Sequence, residues 1–251
     1  MKTLLTTILL ICFSYSINAQ ILNAESLRKV TDTSGFSGNA NLQFALKRNV
    51  NDFLSLSTNT HIQYKMNDHL VLFKNDIIFQ KISGERFENG GIQHLRYNNK
   101  LTERVALELF AQTQYNKVSK IDFRGLLGIG PRFKLSSSEN YKFYLGTLVM
   151  YEHEELDDGV TPIQRNVRGS TYLSFSLYPT SNISFISTTY YQPKLFTFSD
   201  YRISSQSSFR VGLYKNFDLI LRYTFTYDAV PAFEIPNSQY DFTTGISYSF
   251  D

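Results

Sequence analysis

The sequence predicts an all-β chain: a closed antiparallel transmembrane β-barrel of about twelve strands, preceded by a signal peptide. Three observations carry this. A short apolar leader opens the chain, hydrophobicity then alternates with a period of two over stretches of about ten residues, and turn residues separate those stretches.

In the leader, Lys2 precedes an apolar run from Leu4 to Phe13, and a polar stretch ends in Ile17-Asn18-Ala19 before Gln20. This is the layout of a signal peptide cleaved after Ala19. The run is too short for the roughly 20 residues that a helix needs to cross a bilayer. Cys12 lies inside the apolar run, which makes a poor lipoprotein site, and the rest of the chain has no cysteine. A mature protein of this kind has neither a disulfide framework nor a thiolate metal site. The expected organisation is signal peptide 1–19, a short periplasmic segment 20–34 and a barrel 35–251. Lys+Arg number 25 against Asp+Glu 22, a net charge of +3, and no basic face of the kind nucleic-acid binders need is present.

The strands expected in chain order are 35–47, 51–65, 69–81, 90–98, 103–117, 121–135, 140–153, 165–178, 182–194, 201–214, 217–228 and 239–250. In the second, Leu54, Leu56, Ile62 and Tyr64 alternate with Ser55, Ser57, His61 and Gln63. In the fifth, Val105, Leu107, Leu109 and Ala111 alternate with Arg104, Glu108 and Gln112. The sixth sets Ile121, Phe123, Leu127, Ile129 and Phe133 against Asp122, Arg124, Arg132 and Lys134. The eighth and eleventh repeat the split, with Val167, Leu173 and Phe175 against Arg168, Ser170 and Ser174, and Leu219, Leu221 and Tyr223 against Asp218, Arg222 and Thr224. Such alternation over about ten residues suits a tilted membrane-spanning strand.

An even strand count puts both termini on one side. On that side the links 66–68, 99–102, 136–139, 179–181 and 215–216 are short. The long links 82–89, 154–164 and 229–238 fall on the other side and are expected to be external loops, although the first and fifth links there are also short.

A soluble barrel with an apolar interior shows the same period, but usually closes at about eight strands. The near absence of charge on the apolar face favours lipid contact. Phe36, Tyr64, Tyr97, Tyr115, Phe133, Tyr141, Tyr227 and Tyr240 near strand ends are expected at the membrane interfaces. The polar face then lines the lumen: Arg104, Glu108, Asp122, Arg124, Arg132, Lys134, Lys142, Glu152, Arg168, Arg202, Arg210, Asp218, Arg222 and Asp241. Either these charges form a solute pathway whose basic excess favours anions, or opposite charges pair and fill a narrow interior.

At the C-terminus, Thr244-Gly245-Ile246-Ser247-Tyr248-Ser249-Phe250 resembles the terminal-strand signal read by the outer-membrane barrel assembly machinery. That resemblance assigns the signal to Gly245, Tyr248 and Phe250, with Asp251 departing from the pattern. The region from Gly35 to Phe250 also resembles the salt-induced outer-membrane proteins, a family of unknown function. The similarity lies in Gly128-Ile129-Gly130-Pro131-Arg132-Phe133, in Val167-Arg168-Gly169-Ser170-Thr171-Tyr172, and in the closing hairpin from Val211 through Ala229-Val230-Pro231 to Phe250. It implies a barrel in the outer membrane of a Gram-negative-type bacterium and supplies no catalytic residues.

Residues in catalytic or metal-binding arrangements are scarce. His61, His69, His94 and His153 lack metal-ligand pairing. No histidine has Ser two residues on, as the resemblance to outer-membrane phospholipase would require. Gly125, Gly128 and Gly130 precede no helix and are read as marks of a bend or close packing. The expectation is a non-enzymatic, cofactor-free outer-membrane barrel of undefined role, either a narrow channel or an envelope-stress barrel with a charged lumen. Its partners are outer-membrane lipids and, during biogenesis, the assembly machinery, with the solute open. A lipid-modifying enzyme and a soluble periplasmic binding barrel remain the alternatives.

Overall fold

The computed structural model describes residues 34–48, 52–136, 138, 140–214 and 217–248. The expected signal peptide with its cleavage site, the expected periplasmic segment up to residue 33, and Phe250 lie outside them. The described chain is all-β, a meander of twelve antiparallel strands in sequence order. They are β1 (Gly35–Arg48), β2 (Asp52–Met66), β3 (His69–Ile82), β4 (Glu85–Lys100), β5 (Val105–Asn116), β6 (Ile121–Lys134), β7 (Tyr141–Leu156), β8 (Gln164–Thr180), β9 (Ile183–Lys194), β10 (Thr197–Tyr214), β11 (Phe217–Asp228) and β12 (Ser238–Tyr248).

One expected loop fails. No loop spans 82–89, because β3 and β4 are joined by a tight turn at Ser83 and Gly84, with φ of 50° and 87°. Positive φ at both central residues is the twist that matches a two-residue hairpin; Gly84 adopts it freely, while Ser83 bears the Cβ cost of the left-handed region. The charged run Glu85–Glu88 reads as loop but extends β4. The remaining long links on that side are 157–163 and 229–237, so the asymmetry of the two ends rests on two loops rather than three.

The sheet curls tightly. Tyr172 on β8 donates to Glu108 on β5 at 2.6 Å, across three strand spacings that in a flat sheet separate groups by about 14 Å. Lys120, between β5 and β6, reaches Glu234 between β11 and β12 at 2.8 Å. Among the described residues β12 pairs with β11 and β1 with β2. Both faces of β1 are largely exposed.

Curvature sorts side chains by parity. The convex face carries exposed apolar residues, among them Leu95, Leu109, Leu127, Ile129, Val149, Val167 and Leu173. The concave face holds the buried residues, and they are of two kinds. Charged groups lie near both ends, and a belt of Phe110, Leu126, Leu148, Met150, Tyr172 and Tyr190 crosses the middle. Glycine makes this belt possible. A Cβ at Gly146 would meet the Tyr172 ring, and one at Gly128 would meet the Phe110 ring. The close packing expected of Gly128 is found there.

Candidate functional site

Near the end formed by the links 157–163 and 229–237, strands β6, β7, β8 and β10 aim their polar-face side chains at one another. Glu152 on β7 is fully buried and sits where three guanidiniums converge. Arg124 reaches it through Nη2 at 2.7 Å, Arg168 through Nε at 2.6 Å, and Arg202 through Nη1. Arg202 also binds Glu154 at 2.8 Å and Asp228 at 2.6 Å. Arg168 continues to Asp200 at 2.8 Å, and Lys194 lies 3.8 Å from the same carboxylate. The four cations and the four carboxylates Glu152, Glu154, Asp200 and Asp228 thus cancel. Removing so many ions from water is costly, and this mutual pairing offsets it.

A second cluster lies beyond the belt, toward the end at which β1 begins and β12 ends. Arg96 and Arg132 approach Glu108 at 3.6 and 3.8 Å, and Glu108 accepts the Tyr172 hydroxyl hydrogen bond. The Arg96 guanidinium stands over the Phe110 and Tyr172 rings, and that of Arg132 over Tyr144.

Between the first cluster and the belt lies a cavity of 170 Å³. Phe110, Leu126, Leu148, Tyr172 and Tyr190 line it from the belt. Arg124, Glu154 and Arg202 form part of its wall, and the β11–β12 link covers it with Val230, Pro231, Ala232, Ile235 and Pro236. That link is held from two sides. Lys120 donates to the Phe233 carbonyl at 2.9 Å and to Glu234 at 2.8 Å, while the Phe233 amide donates to Asp158 at 3.1 Å. Asp158 also accepts from the Thr161 hydroxyl and amide and from the Val160 amide. These bonds, led by the Thr161 hydroxyl, hold its carboxyl well below the usual range. At the same rim Lys117 pairs with Asp122 and Asp157, and the bond to Asp122 raises its pKa.

The predicted polar-face residues divide by location. Glu108, Arg124, Arg132, Arg168 and Arg202 are buried or nearly so inside the curve, as is Glu152. Arg104 is not on a strand: it lies exposed in the link between β4 and β5, beyond the last ladder pair of β5. Asp122 is exposed at the rim beside Lys117. Arg210 pairs with Asp218 while 55% exposed, and Arg222 is exposed on β11, because β10 to β12 approach the free margin of the sheet. Gly245 and Tyr248 fall near the end of β12.

The apolar belt is the feature that sequence reading missed. Its signal was present in the parity, since Phe110 stands between Glu108 and Gln112 and Tyr172 between Ser170 and Ser174. His153, on the opposite parity, meets Glu155 at 2.8 Å and the Phe123 ring. Among the described residues no group of three or more metal-binding side chains occurs.

Comparison with known proteins adds a family. No curated protein matches this chain. Among solved structures, the chain is similar to a NanC porin at 9% identity and TM-score 0.48, over 78% of this chain and 94% of that one. It is also similar to a bacterial polysaccharide outer membrane secretin, at 8% and 0.44 over 80% and 84%. A third similarity is to OccK11 (OpdR) of Pseudomonas aeruginosa, at 7% and 0.40 over 82% and 63%. The family described as a protein of unknown function, DUF481, matches residues 31–250, nearly the whole chain, and this protein belongs to it.

Proposed function

We propose that the protein is an exported, integral outer-membrane β-barrel in which β1 and β12 close the sheet, and that it takes up or holds a solute without catalysing a reaction. The observation that carries this reading is the convex face. Among the described residues, charged side chains of that parity stand only at strand ends, as with Arg48, Asp52, Lys81, Glu155 and Arg165. Its mid-strand amides and hydroxyls satisfy one another: Asn75 donates to Thr58 at 3.0 Å, Gln93 to Asn75 at 3.1 Å and Thr113 to Gln93 at 3.0 Å. Lipid demands this, since it offers polar groups no partner. The belt across the interior favours a stoppered lumen over an open pore, and the pairing of its charges favours a packed interior over an anion pathway.

The test uses labels at positions 107, 173 and 221, one at a time, in protein refolded into vesicles. Quenchers carried on lipid chains are expected to reach all three. Labels that respond only to aqueous quenchers, or to none, would overturn the membrane reading and return the soluble binding barrel.

A further inference from the structure

We propose that the cavity beneath the β11–β12 link binds a small, neutral, polyhydroxylated ring compound, a monosaccharide or its glycoside. The outer-membrane reading enters only in how that ligand arrives.

Six amides, Gln112, Gln114, Asn116, Gln192, Asn237 and Gln239, stand in the polar part of the lining beside serine, threonine and tyrosine hydroxyls. An amide offers donors and an acceptor together, as a sugar hydroxyl does, so a ring bearing several hydroxyls can be matched on several sides. Part of this capacity is already spent in orienting the wall. His94 Nδ1 lies 2.9 Å from Gln112 Oε1, Gln112 donates to Gln114 at 2.8 Å, and Gln192 donates to Ser170 at 3.3 Å. These bonds hold the amides in place before a ligand arrives, which lowers the entropy lost on binding.

Charge narrows the class. Arg96, Arg124, Arg202, Glu154 and Asp228 border the cavity, but Arg96 is engaged by Glu108 and His94, and the other four are engaged within the neutral cluster around Glu152. A charged ligand would have to take one of these ions from its partner in a desolvated setting, leaving the partner uncompensated. A neutral ligand disturbs none of them. The belt supplies the remaining element, because the rings of Phe110, Tyr172 and Tyr190 border the same space and offer apolar surface to the C–H face of a sugar ring. At 170 Å³ the cavity has room for one ring rather than a chain.

The experiment is calorimetric titration of the mature protein in detergent with methyl glucoside and N-acetylglucosamine, and with glucuronate and glucosamine as charged counterparts. The neutral sugars are expected to bind, and each charged one to bind at least about tenfold more weakly. Gln114→Leu and Gln192→Leu are each expected to weaken binding by about fivefold or more. Thr226→Val removes a hydroxyl from the same lining with almost no change in volume, and is expected to act in the same direction if the amide variants do not fold. Unchanged gel mobility of unheated samples shows that a variant has folded. The proposal is overturned by absence of binding by either neutral sugar, by glucuronate or glucosamine binding as tightly, or by folded variants that bind like the parent. Failure of the membrane reading shows separately, as sugar binding that survives while the lipid quenchers reach none of the labels.

Discussion

Glu152 and Asp218 are both carboxylates on the concave parity, both paired with arginine, and their environments separate them. Glu152 is fully buried among Arg124, Arg168 and Arg202. Asp218 faces an Arg210 that is 55% exposed. Removing one partner of a buried network leaves the others charged and uncompensated, whereas an exposed pair is already screened by water. Glu152→Gln is therefore expected to lower unfolding stability by roughly 3–5 kcal/mol, and Asp218→Asn by less than about 1 kcal/mol. Urea unfolding of vesicle-reconstituted protein measures both, and equal losses would refute the contrast. Sequence identifies all of these residues as polar-face charges. Their pairing is invisible there, since Glu152 and Arg202 are 50 positions apart.

At the level of elements, the two long links behave as one unit because Asp158 of the β7–β8 link holds the backbone of the β11–β12 link at Phe233. A carboxyl whose pKa is depressed by the folded arrangement adds stability above its ordinary pKa. That contribution fades as pH falls through the ordinary value toward the depressed one. With an ordinary Asp pKa of about 3.9, the latch is expected to be fully present at neutral pH, to begin to weaken below about pH 4 and to be lost only as pH falls through the depressed value. Spin labels at Val160 and Phe233 are expected to keep one distance from neutral pH down to about pH 4, the ordinary Asp pKa, and to spread only well below it as the depressed pKa is approached. In Asp158→Asn they are expected to be spread throughout. An Asp158→Asn variant with the parent's narrow distribution at neutral pH would contradict the latch. Both links were legible as long loops, while the hairpin at Ser83-Gly84 was not, because charge in Glu85, Arg86 and Glu88 outweighed a two-residue turn signal.

For the whole molecule, the open question is the seam between β1 and β12. A sheet that curls far enough for the β5–β6 turn to touch the β11–β12 link has already brought distant strands together. Edge strands left open in lipid would expose unsatisfied backbone groups, each costing several kcal/mol, so closure is the expected state in the membrane. A closed ladder resists detergent. Unheated protein is expected to migrate faster than boiled protein on a denaturing gel, and identical mobility would argue against closure.

The sequence by itself determined the β class, the number of strands, most of their boundaries and the two faces of each strand. It could do so because a strand's side-chain period of two is a local property, written in neighbouring residues and broken by turns. Only the tertiary structure decided what the polar face contains. Whether Phe110 packs against Gly128, whether Arg202 meets Glu152, and whether the β11–β12 link covers a cavity all depend on the curvature of the sheet. Curvature brings together residues far apart in the chain, and the local alternation that fixes each strand carries no record of which of them will meet.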